Sequence, residues 1–424
     1  MLTSICGINW GDEGKGRMVD LLSSDYDVVV RYQGGNNAGH TVINEKGKFI
    51  LNLLPSGILR DTVVNVMGNG MVIDIKHLCG EIDSLTKAGI KITPENLKIS
   101  DKAVIVMPYN VMQDCLEEGR LKDKKYGSTR RGIAPIYGDK YMKKALRMGE
   151  LKNLALMEER LKDILEWKNL TITNVYGEKA LELKDMVNYL ETYGKRLVDF
   201  ICDTGLYLNK ANEEGKKIMF EAQLGALRDI DFGIYPYTTS SNTIAAYAPI
   251  GAGIPNLKID KSIGIMKAYS TCVGEGPFTS EYFGEQAEKL RKAGAEYGAA
   301  TGRPRRVGAF DAVASRYGIR CQGADEIAVT KLDVLTGFDE LEITVAYSYK
   351  GEQLDEFPFT DILDECKPIN IKVKGWKEDI SKARKLSDLP ENCINYLRKI
   401  EELTKCKIKY VSVGAEREEY VVID

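Results

Sequence analysis

The sequence has very little histidine, and its cysteines are scattered without the spacing of metal ligands. Only two of its 424 residues are histidine, and its nine cysteines include no C-x-x-C pair. A zinc site needs cysteine and histidine ligands at short spacing, and a disulfide scaffold is typical of much shorter secreted chains. The composition therefore argues against both classes. It predicts free thiols in a reducing compartment, the cytoplasm.

Long apolar runs and an excess of one charge are also missing. No stretch approaches the roughly 20 apolar residues that a membrane span needs, and the N-terminus lacks the basic segment of a signal peptide. Lysine and arginine number 59 against 62 aspartates and glutamates, a net charge of −3. A chain of balanced charge has no bulk field for nucleic acid or anionic lipid. We therefore expect a globular protein that has neither nucleic acid nor a membrane as its partner.

Glycine, in contrast, is abundant, with 40 residues that cluster after short apolar runs. The runs 5–8, 28–30 and 63–67 each end in such a cluster, and apolar residues at helical spacing follow the first. Strands that alternate with helices and end in glycine-rich turns are typical of a parallel sheet with ligand loops at the carboxyl ends of its strands. The sequence thus predicts an α/β fold with a mostly parallel central sheet and flanking helices.

Residues 150–215 have a different composition, rich in lysine, glutamate and leucine, with apolar residues on helical faces. No proline- or serine-rich linker bounds this segment. We therefore interpret it as a helical insertion, about 150–215, in a single domain that spans residues 1–424. Strand-like runs resume after it, at 218–220, 263–266, 327–329, 343–345 and 409–413.

The phosphate loop, residues 10–17, places three glycines, Asp12, Glu13 and Lys15 between a predicted strand and a predicted helix. Backbone N–H groups and the helix dipole favour anions at such a point, and the lysine adds charge. The loop is not a standard P-loop, which needs glycine at position 9 and a hydroxyl at position 16. Without that hydroxyl a magnesium ion needs another ligand, and Asp12 is the natural candidate. The alternative is a tight turn with incidental charges.

A second glycine-rich loop, residues 33–41, follows the second predicted strand and contains His40 near its end. A lone histidine is more often structural than catalytic, but its position in a loop of glycines and amides favours a chemical role. Asp12 and His40 follow successive strands and could face each other across one site. A carboxylate and an imidazole placed in this way suit a general base and a general acid.

The tetrapeptide at 330–333, T-K-L-D, follows an apolar run and resembles the guanine-recognition motif N-K-x-D, with threonine in the first position. In that motif the aspartate accepts hydrogen bonds from guanine N1 and N2, a pair of donors that adenine lacks. Alone the tetrapeptide is weak evidence, because it occurs by chance. Together with a phosphate loop it predicts that the nucleotide is GTP.

Two further segments carry groups suited to anionic ligands. Arg303, Arg305 and Arg306 lie in the arginine loop, residues 301–306, where guanidinium groups can bind carboxylates and phosphates bidentately. The alternative is a solvated basic turn. The hydroxyl-rich run 235–242 would suit a phosphate or a ribose, although alone it is typical of a polar loop.

These loops together closely resemble the adenylosuccinate synthetase family, over nearly the whole chain. The segments that carry the resemblance are W-G-D-E-G-K-G at 10–16, R-Y-Q-G-G-N-N-A-G-H-T at 31–41, L-P-S-G-I-L at 54–59, D-I-D-F-G-I-Y-P-Y-T-T-S-S-N-T at 229–243, the arginine loop, and T-K-L-D at 330–333. The resemblance implies a P-loop-NTPase-like core with helical and loop insertions.

The activity that the resemblance implies is that of a ligase in purine biosynthesis. Such an enzyme joins IMP and L-aspartate into adenylosuccinate and converts GTP to GDP and phosphate. It works through 6-phosphoryl-IMP, with one Mg²⁺ ion per subunit, in the first committed step from IMP to AMP. Members of the family form homodimers, in which a residue of one subunit reaches across the interface into the site of its partner.

The resemblance also implies roles for individual residues. Asp12 matches the base that removes the N1 proton of IMP, and His40 matches the acid that hydrogen-bonds the phosphoryl group in transit. Asp12 and the Gly39 carbonyl are the expected magnesium ligands. The expected GTP-binding residues are Gly11, Asp12, Glu13, Gly14, Lys15, Gly16, Arg17, Arg305, Lys331, Leu332, Asp333, Ser412, Val413 and Gly414. The expected IMP-binding residues are Asp12, Lys15, Asn37, Ala38, Gly39, His40, Thr129, Lys143, Gln223, Thr239 and Arg303. The expected aspartate-binding residues are Ala299, Ala300, Thr301, Gly302, Arg303 and Arg305.

The chain departs from the family pattern at several positions. Lys143 stands where the family has an arginine that reaches the IMP phosphate of the partner subunit, and lysine lacks the bidentate fork. The family's E-G-A-Q-G is E-A-Q-L-G at 221–225, which moves the glutamine, Gln223, by one residue. Asn36 replaces a common histidine and Arg130 a common glycine. None of these departures affects the proposed base, acid or phosphate-loop lysine, so we expect an active enzyme.

Two alternatives remain open on the sequence. A regulatory GTPase would share the phosphate loop and the guanine motif, but it would not need the arginine loop or an acid–base pair. A related ligase could use a different purine monophosphate or amino donor.

Overall fold

Strands and helices alternate along the chain as the glycine-bounded apolar runs predict. The computed structural model describes residues 1–44, 47–297 and 304–423. The strands of the described residues are β1 (Leu2–Gly7), β2 (Val28–Arg31), β3 (His40–Asn44), β4 (Gly47–Leu51), β5 (Val64–Met67), β6 (Val72–Ile73), β7 (Leu97–Ser100), β8 (Val104–Ile105), β9 (Ile201–Cys202), β10 (Ile218–Glu221), β11 (Lys261–Lys267), β12 (Ser270–Cys272), β13 (Arg306–Gly308), β14 (Phe310–Asp311), β15 (Glu326–Thr330), β16 (Glu340–Tyr349), β17 (Glu352–Leu354), β18 (Lys367–Lys374), β19 (Lys407–Ser412) and β20 (Tyr420–Val422).

The α-helices of the same residues vary from one turn to six. They are α1 (Lys15–Leu22), α2 (Ile75–Lys87), α3 (Pro108–Leu121), α4 (Ile133–Tyr141), α5 (Leu154–Asn174), α6 (Leu183–Tyr189), α7 (Thr204–Glu213), α8 (Ala248–Ala252), α9 (Gly284–Gly294), α10 (Ala312–Gln322), α11 (Thr360–Leu363) and α12 (Glu391–Thr404). None of the helices in the described ranges is long and apolar enough to cross a membrane.

Ten strands form the central sheet, in the order β20-β19-β15-β11-β1-β10-β2-β5-β7-β9. Every neighbouring pair is parallel except β19 and β20, which confirms the predicted mostly parallel sheet. The central strands β1, β10 and β2 are buried along their whole length. Burial on both faces explains why these strands appear in the sequence as nearly continuous apolar runs.

The order of the strands places six loops along one edge of the sheet. Because parallel strands end at the same edge, the loops after β19, β15, β11, β1, β10 and β2 lie side by side in that order. The phosphate loop follows β1, the second glycine-rich loop follows β2, and T-K-L-D ends β15 and continues beyond it. The strand order thus gathers segments that are far apart in the sequence.

The 150–215 segment is helical for most of its length, as expected, and it is also part of the main body of the fold. Its strand β9 pairs with β7 at one end of the central sheet. Apolar residues of α5 and α6, among them Leu161 and Met186, share one core with Leu97 and Ile99 of β7. The segment therefore covers the sheet and extends its edge. The single-domain organisation stays a prediction.

The predicted strand at 343–345 is also found, but in a smaller sheet. It belongs to β16, which pairs with β14, β17 and β18 outside the central sheet. Apolar periodicity identifies a strand without identifying its partners, because pairing depends on tertiary contacts.

Candidate active site

The phosphate loop has a backbone that needs glycine at several points. Gly11 and Gly14 have φ angles of 102° and 91°, and Asp12 also lies in the left-handed region at 59°. Helix α1 begins directly after Gly14, and none of the described side chains caps its first N–H groups. Uncapped N–H groups at a helix N-terminus form a site for a phosphate or another anion.

Glu13 and Lys15 are buried within this loop. The Glu13 carboxylate accepts hydrogen bonds from the backbone N–H groups of Asn9 (3.1 Å) and Gly11 (2.9 Å). Its second oxygen lies 2.6 Å from the Lys15 ammonium. The Glu13 side chain therefore holds the shape of the loop in this structure and fixes the position of the Lys15 ammonium.

Gly16 occupies the position where a standard P-loop carries a hydroxyl, and packing explains the glycine. A Cβ atom at Gly16 would lie 2.5 Å from the His40 Cβ, a distance that real Cβ atoms do not reach. Helix α1 therefore packs directly on His40. This contact places the start of α1 against the end of the second glycine-rich loop. That Asp12 and His40 face each other across one site stays a prediction.

A buried carboxylate orients His40. The imidazole Nδ1 lies 2.5 Å from Glu221 Oε1, and Glu221 also accepts hydrogen bonds from the Ser56 N–H (2.7 Å) and hydroxyl (2.6 Å). Because Nδ1 is taken by Glu221, Nε2 is the ring nitrogen left to act on a substrate. Burial lowers the pKa of His40, and the Glu221 carboxylate opposes that shift. Burial alone would raise the pKa of Glu221, but His40, Arg31 and Ser56 hold it below its usual value.

Arg305 and Asp12 form an ion pair, so the arginine loop and the phosphate loop are neighbours. The Arg305 Nε lies 3.2 Å from Asp12 Oδ2, and its Nη1 donates to Glu296 Oε2 at 2.8 Å. Arg306 has a different partner, the carboxylate of Glu281, at 2.5–2.9 Å. The other predicted aspartate-binding residues, Ala299, Ala300, Thr301, Gly302 and Arg303, lie outside the described residues.

Arg17 connects the start of α1 to the turn after β19. Its guanidinium donates to the Ser412 hydroxyl, to the Gly414 and Glu416 carbonyls, and at 3.1 Å to the Glu419 carbonyl. Burial raises the pKa of Asp333, and the charges of Lys331 and Arg17 oppose that shift. The structure thus brings together the residues predicted to bind guanine.

Two other residues predicted to bind GTP lie in the core. Leu332 and Val413 are fully buried, and both belong to the hydrophobic core packed around β15 and β19. Thr330, which replaces the asparagine of N-K-x-D, donates its hydroxyl to the Glu13 carbonyl at 2.6 Å. The threonine therefore connects the end of β15, where the predicted guanine site begins, to the phosphate loop.

The residues predicted to bind IMP are spread over several loops. Asn37 and Ala38 are half-buried: the Asn37 Oδ1 accepts from the Gly35 N–H at 3.2 Å, and the Ala38 carbonyl accepts from Asn52 Nδ2 at 2.9 Å. Gly39 is exposed next to them. Thr239 has a buried hydroxyl that lacks a hydrogen-bond partner among the described residues, which suits a ligand contact. Thr129 and Lys143 are exposed.

Gln223 is completely buried. Its Nε2 donates to the Gly35 carbonyl at 2.7 Å and to the Asn52 carbonyl at 3.3 Å. The side chain therefore supports the second glycine-rich loop from within the protein, and its Oε1 has no hydrogen-bond partner among the described residues. The one-residue shift of the glutamine is accompanied by Leu224 at a φ angle of 58°.

Backbone conformation gives a physical reason for one family preference. Arg130 has a φ angle of 57°, in the left-handed region that favours glycine. A common glycine at this position is therefore expected. Asn36, the other single-residue departure, donates to the Asp74 carboxylate at 3.1 Å and so has a structural partner.

The sequence does not predict a role for two acidic residues of the site. Glu221 ends the apolar strand β10, and Glu296 lies just after α9. For Glu221 a signal exists, namely a charge at the end of a strand that is otherwise apolar. For Glu296 we find none.

Comparisons with a family model and with curated proteins identify the same family. The family model described as adenylosuccinate synthetase matches residues 4–421. The adenylosuccinate synthetase of Carboxydothermus hydrogenoformans is 46% identical over 421 residues, which are 99% of this chain and 98% of the relative. That of Clostridium botulinum strain 657 is 44% identical over 420 residues, with 99% and 98% covered.

Solved structures agree. The fully ligated adenylosuccinate synthetase of Plasmodium falciparum superposes with a TM-score of 0.93 at 36% identity and covers 100% of this chain and 99% of its own. A cyanophage S-2L succinoaminodeoxyadenylate synthetase, bound to dGMP and dATP, shares the fold at a TM-score of 0.61 and 17% identity, with 99% and 95% covered. The chain belongs to the adenylosuccinate synthetase family of GTP- and Mg²⁺-dependent ligases, which join IMP and L-aspartate in purine biosynthesis.

Proposed function

We propose that this chain phosphorylates the 6-oxygen of IMP with GTP and then replaces the phosphate with the amino group of L-aspartate. The observation that carries the proposal is the order of loops along the sheet edge. The guanine site follows β15 and β19, the phosphate loop follows β1, and His40 lies beyond β2. A nucleotide bound along this edge points its terminal phosphate from the guanine site toward His40, where IMP would bind.

Asp12 is proposed as the base that removes the N1 proton of IMP and makes the 6-oxygen nucleophilic. Its carboxylate is about a third exposed, at 30%, and its ion-pair partner at 3.2 Å is Arg305. The Asp12 backbone lies in the left-handed region, with a φ angle of 59°. Arg305 is proposed to hold the carboxylate in place and to help bind the aspartate substrate.

His40 is proposed to hydrogen-bond the phosphoryl group while it is transferred and to assist the later departure of phosphate. The Glu221 carboxylate fixes Nδ1 and thereby the orientation of the ring. A positive imidazole is stabilised by Glu221 on one side and by the phosphoryl oxygens on the other. Burial then strengthens both interactions, because water does not screen them.

The residues near the phosphate loop fit a magnesium ion. Mg²⁺ is bound by one or two carboxylates together with substrate phosphates and water. Asp12 and the exposed Gly39 carbonyl are hard oxygen donors of this kind, and the described residues contain no cluster of three or more His, Cys, Asp or Glu that would hold a cation alone. When bound, the ion neutralises charge on the transferred phosphoryl group.

IMP is proposed to contact Asn37, Thr129 and Thr239 in one subunit and Lys143 of the partner in a homodimer. Lys143 comes directly after α4 and is exposed. The preceding side chains, Tyr141 and Met142, are 73% and 54% exposed, which suits an interface. A cytoplasmic location is supported by the nine free cysteines.

Replacement of Asp333 by asparagine is expected to raise the KM for GTP by about 10- to 100-fold, because hydrogen bonds from the guanine N1 and N2 groups to a charged acceptor are lost. The KM for IMP should stay within about twofold, since Asp333 follows β15 and His40 lies beyond β2, which is four strands away in the sheet. Initial-rate measurements with each substrate varied in turn test this. Asp339→Asn, which removes an exposed charge 2.5 Å from Lys377, is the matched control. Equal weakening of GTP and IMP would contradict the assignment.

A further inference from the structure

A buried carboxylate that the proposed mechanism does not use lies between Arg305 and the guanine site. Glu296 has an exposed fraction of 0%. Its Oε1 accepts hydrogen bonds from the Lys267 ammonium at 2.8 Å and the Tyr269 hydroxyl at 2.6 Å. Its Oε2 accepts from Arg305 Nη1 at 2.8 Å, and its backbone carbonyl accepts from the Arg305 N–H at 2.9 Å.

The same carboxylate is close to the guanine site. The Lys331 ammonium lies 3.8 Å from Glu296 Oε1 and donates to the carbonyl of Gly294, two residues before Glu296, at 2.7 Å. Three cationic side chains, from three separate segments of the chain, thus surround one acidic group. Burial alone would raise the pKa of Glu296, but Lys267 and Lys331 hold it at about 2, so the group is ionised at any working pH.

We propose that Glu296 is a positioning residue that holds Arg305 and Lys331 in one arrangement and so couples the aspartate site to the guanine site. The inference rests on the proposed function, because it assigns these two cations to aspartate and GTP. Without the negative charge, Lys267, Lys331 and Arg305 would repel one another at short range. Among the described residues Arg305 has two acidic partners, Glu296 and Asp12, and it would lose the first of them.

The neighbouring arginine provides a contrast within the same structure. Arg306 is bound by Glu281 at 2.5–2.9 Å, a pair of similar geometry. Among the ion pairs of the described residues, Glu281 contacts only Arg306. Removal of the Glu281 carboxylate would disturb Arg306 but neither of the two cations assigned to aspartate and GTP. The Glu281 variant therefore distinguishes the loss of one local ion pair from the loss of coupling between two substrate sites.

The test compares Glu296→Gln with Glu281→Gln in the full-length chain. Glu296→Gln is expected to raise the KM for L-aspartate and the KM for GTP by about tenfold each, with the KM for IMP within about twofold. Glu281→Gln should leave all three KM values within about twofold. A loss of kcat alone, a rise in KM for only one of the two substrates, or an equal rise for IMP would overturn the inference.

A second variant decides the matter if Glu296→Gln does not fold. Tyr269→Phe removes one hydrogen bond to Glu296 and leaves its charge in place. It should raise the same two KM values by about three- to tenfold, and values within about twofold of the unmodified chain would overturn the inference. Absence of adenylosuccinate formation by the unmodified chain would instead overturn the proposed function and this inference with it. Normal turnover together with unresponsive Glu296 and Tyr269 variants would overturn this inference alone.

Discussion

Replacement of Asp12 by asparagine is expected to lower kcat by about 10²- to 10⁴-fold, because the substitution removes the base that activates the 6-oxygen of IMP. The fold should stay intact. Asp12 has a φ angle of 59°, and asparagine is one of the few residues that adopt this conformation readily. An amide oxygen can also still face Arg305 across the present 3.2 Å contact.

In the Asp12→Asn variant, turnover should therefore be largely lost while GTP binding is kept. We expect the dissociation constant for GTP without metal to change by less than about tenfold, and the unfolding midpoint by only a few degrees. Asp339→Asn serves again as the control. Turnover of Asp12→Asn at the unmodified rate would show that Asp12 is not the base.

Replacement of His40 by asparagine is expected to lower kcat by about 10²- to 10³-fold, since the group that hydrogen-bonds the phosphoryl oxygens is lost. Asparagine is the informative choice because its side-chain N–H₂ takes the place of the imidazole Nδ1, which donates to Glu221 at 2.5 Å. The buried carboxylate therefore keeps a partner, and only the Nε2 function disappears.

The second histidine of the chain is a matched control for this variant. His77 is half-buried, and its Nε2 lies 3.1 Å from Asn52 Oδ1. His77→Asn should change kcat by less than about threefold, because His77 has no role in the proposed chemistry. A His40→Asn enzyme with kcat within that same threefold range would contradict the role of His40 in phosphoryl transfer.

The strands were predictable from the sequence because burial on both faces leaves a clear pattern. The run 28–30 is apolar without interruption, and it corresponds to the central strand β2. The order of the strands was not predictable. Strand β1 pairs with Ile218 and its neighbours on one side and with Ile263 and its neighbours on the other, and nothing local to β1 specifies these distant partners.

The residues of the candidate site also fall into two groups, those that the sequence identified and those that it did not. Asp12, His40 and Asp333 stand in motifs whose spacing reflects a single loop each, so the sequence alone identified them as candidates. Glu221 and Glu296 act on partners from other segments of the chain, namely His40 for Glu221 and Lys267 and Lys331 for Glu296. A single glutamate carries no pattern that predicts such contacts, because they arise only when the sheet brings the segments together.

The backbone conformation of individual residues could not be predicted from the sequence either. Nothing in the residue type of Leu224 or Arg130 indicates a left-handed φ angle, since such angles are unfavourable for both side chains. The burial of individual polar side chains could not be predicted either, as the completely buried Gln223 shows. Both properties depend on how the loops pack against each other, and both decide which departures from the family pattern the site can accommodate.

The central claim is that GTP drives the joining of IMP and L-aspartate at this site. The most direct test is a turnover assay with IMP, L-aspartate and Mg²⁺, with GTP in one cuvette and ATP in the other, that follows the ultraviolet change of the purine and the release of phosphate. We predict both signals with GTP, dependent on IMP and on aspartate, and neither with ATP. Phosphate release without a change in the purine, or equal turnover with ATP, would contradict the account.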